Sequence, residues 1–191
     1  MQNKPKYVIR TIYRKDLDTF ADYESELYKE RATDINFWQV VEEKAPSKKV
    51  LKEWFTKLCK SAYSRDTVTR VIEIDGKIVG LCTVMRQGKW RETSHVGDLG
   101  IDILKEYRRQ GLGSALIAET IKESRKRFEI IECSAFSTNK PAIRLYRKFG
   151  FRKCGVWPKH IKRDKRYIDS VLMYLKTVTN PSSKSRKTAR N

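Results

Sequence analysis

The sequence predicts an α/β fold, one mixed sheet flanked by helices, and three observations predict it. Runs with β-like alternation and runs with helical spacing follow one another in the order β, α, α, β-hairpin, β, α, β, α, β, β. Residues 94–138 read strand, helix, strand; that crossover demands a parallel pair. Residues 67–85 hold two β-rich runs around Asp75-Gly76, a type I′ hairpin dipeptide, which demands antiparallel pairing.

The elements follow in order. "YVIRTIY" (7–13) alternates and carries β-formers, so it predicts the first strand. Residues 16–31 place Leu17, Phe20, Tyr23 or Glu24, and Leu27 at helical spacing. Ser47 reads as the N-cap of a second helix, whose apolar face is Val50, Leu51, Trp54, Phe55 and Leu58. Between these helices, Phe37 and Trp38 suit either a substrate pocket or an anchor for the loop. After the hairpin come a strand (94–104), a helix (113–127) and a strand (129–138). A helix over 139–149 follows, with Asn139 as cap, Pro141 in its first turn and Gly150 as its stop. "FRKCGVWPKHI" and "RYIDSVLMYL" predict two closing strands. Residues 1–178 are therefore expected to form one domain, and 179–191 a basic, disordered tail.

A length of 191 residues suits one domain able to bury a core without disulfides or metal. Hydrophobic residues at 39% and charged residues at 34% predict a soluble globular protein. No apolar run has the length of a membrane span, and the opening "MQNKPKYVIRTIYRKD" lacks the apolar core of a signal peptide. A cytoplasmic location is the expectation. Cys59, Cys82, Cys133 and Cys154 form no C-x-x-C pair, so neither zinc nor redox chemistry is indicated and no metal is expected. A net charge of +19 favours anionic partners: a phosphorylated cofactor, RNA or ribosomes. It equally describes a lysine-rich solvated surface. The tail cations Lys184, Arg186, Lys187 and Arg190 suit either loose phosphate binding or solubility.

"YRRQGLGSALI" (107–117) lies where a strand hands over to a helix. Gly111 and Gly113 let a ligand approach the backbone, and the first-turn N–H groups of the helix point into that space. With the helix dipole they form an anion site, to which Arg108 and Arg109 add guanidinium contacts. The reading is pyrophosphate binding. A P-loop is excluded, because no Lys follows the glycines. A dinucleotide fingerprint lacks its third glycine, since Leu116 stands there, although Glu132 lies near the spacing of a ribose partner. Taken alone, the two glycines fit a ligand-free turn as well.

The wider pattern resembles the GNAT (GCN5-related N-acetyltransferase) superfamily. "GIDILKEYRRQGLGSALI" is similar to its motif A, with Arg108 at the first position of R-x-x-G-x-G and Gly111 and Gly113 as its glycines. "NKPAIRLYRKFGF" is similar to its motif B, matched by Asn139, Ala142, Leu145, Tyr146, Gly150 and Phe151. The resemblance is strong over residues 67–175 and confined to element order over 7–60. It implies a mostly antiparallel sheet of about seven strands and an acetyl-CoA site between strands 94–104 and 129–138. It further implies that Ile101 and Ile103 pair with the pantetheine arm through their backbone. Arg108, Arg109, Gln110, Gly111, Leu112, Gly113 and Ser114 would hold the pyrophosphate. Asn139 and Tyr146 would reach the pantetheine or the sulfur.

The implied chemistry is attack of an amine on a thioester, which needs a deprotonated amine and a proton for the leaving thiolate. Tyr146 is the candidate acid; its alternative is a core-edge tyrosine that merely contacts CoA. Asp98, Glu132 and His95 are the candidate bases, with deprotonation by bulk water the alternative. The ending of the chain resembles the phosphinothricin- and ribosomal-protein-acetylating branches. The expected function is N-acetyl transfer to a small amine, an amino acid, or a protein N-terminus or lysine, by a monomer or homodimer. The alternative is a silent acyl-CoA-binding regulatory module, RNA- or ribosome-associated through its basic surface.

Overall fold

A computed structural model of the chain describes residues 6–34, 45–88, 90–163 and 165–177. Phe37, Trp38 and the tail lie outside the described residues. The elements are β1 (Val8–Arg10), α1 (Leu17–Thr33), α2 (Lys48–Ala62), β2 (Thr67–Ile74), β3 (Lys77–Arg86), β4 (Val96–Ile103), α3 (Leu112–Ser124), β5 (Ile130–Phe136), α4 (Lys140–Lys148), β6 (Arg152–Arg163) and β7 (Arg166–Lys176). They form one seven-stranded sheet in the order β1-β2-β3-β4-β5-β7-β6, in which only β4 and β5 run parallel.

Local chemistry explains the boundaries. Asp75 (φ 48°) and Gly76 (φ 75°) make the tight β2–β3 turn that their sequence predicts. The Ser47 hydroxyl accepts the Val50 N–H at 3.4 Å and starts α2. β1 is shorter than the predicted 7–13. Ile12 turns into the core, and the Tyr13 N–H donates to Asp16 Oδ2 at 2.8 Å, which tightens the chain into a 3₁₀ turn before α1. Pro158 is tolerated in β6 because that strand is an edge with irregular register.

Two cores face opposite sides of the sheet. Behind it, Leu112, Leu116, Ile117 and Ile121 of α3 and Ile143 and Tyr146 of α4 pack on Leu99, Ile103, Ile131 and Cys133. In front, Phe20, Tyr23 and Leu27 of α1 and Phe55 of α2 pack on Val71 and Ile78. Side chains alternate along a strand, so Asp98, Gly100 and Asp102 of β4 and Glu132, Ser134 and Phe136 of β5 share the front face. Among the described residues, no helix is long and apolar enough to cross a membrane.

Candidate active site

β4 and β5 pair over three positions only: Val96 with Ile130, Gly97 with Ile131, and Asp98 with Glu132. Beyond Asp98, β4 continues to Ile103 along β3, and beyond Glu132, β5 continues to Phe136 along β7. The two strands therefore part, and their facing backbone groups have no ladder partner in each other. A gap opens whose closed end is the Asp98–Glu132 rung and whose open end meets the head of α3.

That head is bare. Gly111 holds φ 85° as the N-cap, a left-handed conformation that disfavours side chains, and no side chain caps the helix. A Cβ on Gly111 would meet nothing within 4 Å among the described residues, so they leave the space in front of it open. The amides of Leu112, Gly113 and Ser114 donate to no group among the described residues. Arg109 is exposed beside them. Lys148, from the last turn of α4, reaches Ser114 Oγ at 3.2 Å. This arrangement fits a diphosphate: unpaired amides, a helix dipole and two cations. Lys148 carried no motif signal; only the packing of α4 beside α3 reveals it.

Arg108 and Ile103 are tied to each other and to α1. The Arg108 guanidinium bonds to groups of the chain itself. Its Nε donates to the Ile103 carbonyl at 2.7 Å, and its terminal nitrogens meet Glu30 and, at 3.4 Å, Asp34 of the α1 end. Two carboxylates hold it by charge-assisted bonds, and it ties α1 to the end of β4. The Ile103 carbonyl thereby carries one bond, which leaves its second lone pair and its N–H for a pantetheine contact. Ile101 stays on the unpaired stretch of β4. Gln110 turns its amide to the Glu106 carbonyl at 2.9 Å, and Leu112 is core. Asn139 Oδ1 accepts the Ala142 N–H at 3.1 Å and so caps α4.

The reactive groups stand on both sides of the gap. Asp98 opens to solvent at the foot of the cleft, where incomplete hydration lifts its carboxyl above the ordinary range. Glu132, its partner across the rung, is also raised, first by burial and then by the Asp98 charge, against a hydrogen bond from Gln87. Adjacent strands lie about 4.8 Å apart, so the two side chains leave the same rung on the same face. Gln87 was not legible as a site residue; it follows β3 and is anchored by its N–H to the Val96 carbonyl at 3.0 Å. His95 sits at the closed end, and its carbonyl receives the N–H groups of Glu129 and Ile130.

Tyr146 lies behind the gap, 5% exposed, its ring 5.6 Å from that of Phe151. Burial keeps its phenol protonated, raising it well above the usual range; the Cys133 and Cys82 thiols and the Asp102 and Asp98 carboxylates add to this. No side chain among the described residues hydrogen-bonds the hydroxyl. A substrate carbonyl held between the strands would have carboxylates in front and a phenol behind. A surface depression of about 440 Å³ on α2, lined by Lys49, Lys52, Glu53, Thr56 and Lys57, contains none of these groups. Among the described residues no His, Cys, Asp and Glu side chains cluster as a metal site.

The chain is similar to known proteins. The profile of the Acetyltransferase (GNAT) family matches residues 19–151. An L-amino acid N-acetyltransferase, AaaT, of Escherichia coli K12 is 37% identical over 102 residues, 52% of this chain and 62% of that protein. An N-alpha-acetyltransferase of Sulfurisphaera tokodaii is 31% identical over 99 residues, 45% of this chain and 57% of that protein. The matches thus span about three-fifths of those relatives' lengths. The solved structure of yncA, a putative acetyltransferase of Salmonella typhimurium with its cofactor acetyl-CoA, shares the fold. Its TM-score is 0.76, at 16% identity over 97% of this chain and 98% of that one.

Proposed function

The chain belongs to the Acetyltransferase (GNAT) family, and on that premise we propose that it moves an acetyl group from acetyl-CoA to a primary amine in a ternary complex. The observation that carries this reading is the parting of β4 and β5 after the Asp98–Glu132 rung, with the bare head of α3 at the open end. Acetyl-CoA supplies the thioester. Leu112, Gly113, Ser114, Arg109 and Lys148 bind its diphosphate, and the unpaired edges of β4 and β5 bind its pantetheine arm.

The acceptor is a small amine, an amino acid, or a protein N-terminus or lysine, and it enters from the front. Asp98, with Glu132 beside it, attracts the ammonium form and takes its proton; the raised carboxyl narrows the mismatch with an amine near pKa ~10. The amine nitrogen bonds to the thioester carbon and sheds its remaining excess proton to water, which returns the proton that Tyr146 gives up, and the carbon–sulfur bond breaks. Tyr146 donates its proton from behind to the departing thiolate. The products are the N-acetylated amine and free CoA.

Thiol release over a panel of amines tests the reading. Tyr146→Phe is expected to lower kcat about 100-fold while acetyl-CoA affinity stays within threefold. An unchanged kcat rejects Tyr146 as the acid. A wild-type protein that acetyl-CoA neither stabilises nor drives to release thiol contradicts the function as a whole.

A further inference from the structure

Gly100 occupies the middle of β4, where a glycine forgoes packing and loosens the strand. The ordinary structural reasons for one are missing. Its φ is not left-handed, since the glycines with positive φ are Gly76, Gly88, Gly111 and Gly150. No bulge accounts for it, because Gly100 pairs with Thr83 in the unbroken register of β3 and β4. Among the described residues no neighbour crowds it either: a Cβ would meet only Thr83 Oγ1, at 3.7 Å, an ordinary contact. Gly97 and Gly80 differ sharply. A Cβ at Gly97 would lie 2.5 Å from Val84 Cγ1, and at Gly80 2.3 Å from Ile103 Cδ1. Those two are small because the fold fills the space. At Gly100 the described residues leave exposed space that none of them fills.

The space lies at the gap. Asp98 is the last residue of β4 paired to β5, so Gly100 is the first front-facing position above the closed end. Across the opening, the corresponding position of β5 is Ser134, half-buried. A nucleophile coming from the front to a carbonyl held between the strands, with Asp98 at hand, passes directly over Gly100. A methyl group here would stand in that path while disturbing nothing behind it.

Building on the acetyltransferase reading, we infer that Gly100 determines acceptor specificity: its missing side chain is the port through which a primary amine on a substituted carbon reaches the thioester. Such an amine carries bulk beside the reacting nitrogen. The α-amino group of an amino acid or of a peptide terminus belongs to this class, whereas an amine on an unbranched CH₂ needs less room.

Gly100→Ala tests the port in the full-length chain, with glycinamide and L-leucinamide as probe acceptors. The melting temperature is expected to hold or to rise by about 1–4 °C, because alanine suits a strand better than glycine and has room here. Acetyl-CoA affinity is expected to stay within twofold of wild type. The kcat/KM for L-leucinamide is expected to fall at least tenfold, and that for glycinamide less than threefold. A lowered melting temperature would show a structural need for the glycine and overturn the proposal. Equal losses of acetyl-CoA affinity and turnover would put Gly100 in the cofactor slot instead. Wild-type kinetics with both amines would reject the port outright. A wild type that acetyl-CoA stabilises but that acetylates neither probe would reject the acceptor class. Absence of any acetyl-CoA binding by the wild type would remove the underlying acetyltransferase reading, a result no Gly100 variant can mimic.

Discussion

α3 and α4 each follow one strand of the gap, and their first turns are finished in opposite ways. In α4 every donor has an acceptor within the chain. The Lys140 N–H donates to Thr138 O at 2.9 Å, Pro141 has no N–H, the Ala142 N–H meets Asn139 Oδ1 at 3.1 Å, and the Ile143 N–H meets Asn139 O at 3.2 Å. In α3 the first bond is from Ala115 N–H to Gly111 O at 3.1 Å, and the three amides before it are left open among cations. One helix head is closed by its own sequence, and the other leaves three donors open to an anion. The same rule about unsatisfied donors thus separates a closed turn from an open one.

The largest effect comes from closing the open head. Gly111→Asp puts a carboxylate at the proposed diphosphate site, and aspartate tolerates the left-handed φ better than most residues. Acetyl-CoA affinity by calorimetry is expected to fall at least ~30-fold, about 2 kcal/mol, with the fold retained. Undiminished affinity would erase the contrast between the helices. Opening the closed head is the reciprocal change. Asn139→Ala removes the cap and is expected to cost about 1 kcal/mol, or about 2–4 °C of melting temperature, with acetyl-CoA affinity within threefold. A large affinity loss without a stability loss would move Asn139 from cap to ligand.

The smallest effect concerns Asp98, at the foot of the gap between the two heads. Its native carboxyl is raised by desolvation, so the native state holds this proton more tightly than the unfolded chain does. Ionisation therefore costs stability as pH rises through the native value. Asp98→Asn avoids that cost. Its melting temperature is expected to equal that of wild type near pH 3 and to exceed it slightly at pH 7. A gap already present at pH 3, or one of opposite sign, would contradict the assigned environment.

The fold was legible where local chemistry decides it. The Asp75-Gly76 turn, the Ser47 and Asn139 caps and the β4-α3-β5 crossover carry their signals within a few residues. β1 was overextended because Ile12 is apolar for the core and not for a strand, a difference that only tertiary packing makes. The motif residues of the candidate site are legible in the sequence, and the groups they meet from distant segments are not. Asp98 and Glu132 lie far apart in sequence, and only strand register puts them on one rung. The role of Arg108 depends on Glu30 and Asp34, more than seventy residues earlier. Gln87 and Lys148 act through residues 45 and 34 positions away, which no spacing rule connects. Gly100 and Gly97 look alike in "GDLG", and only the space around each tells them apart.

The most direct test of the central claim compares acetyl-CoA with S-acetylpantetheine, which keeps the thioester and arm but lacks the diphosphate. The account predicts that acetyl-CoA binds at least 100-fold more tightly and that raising salt narrows the difference. Equal affinities for the two, independent of salt, would show that the bare head of α3 binds no phosphate and would contradict the account.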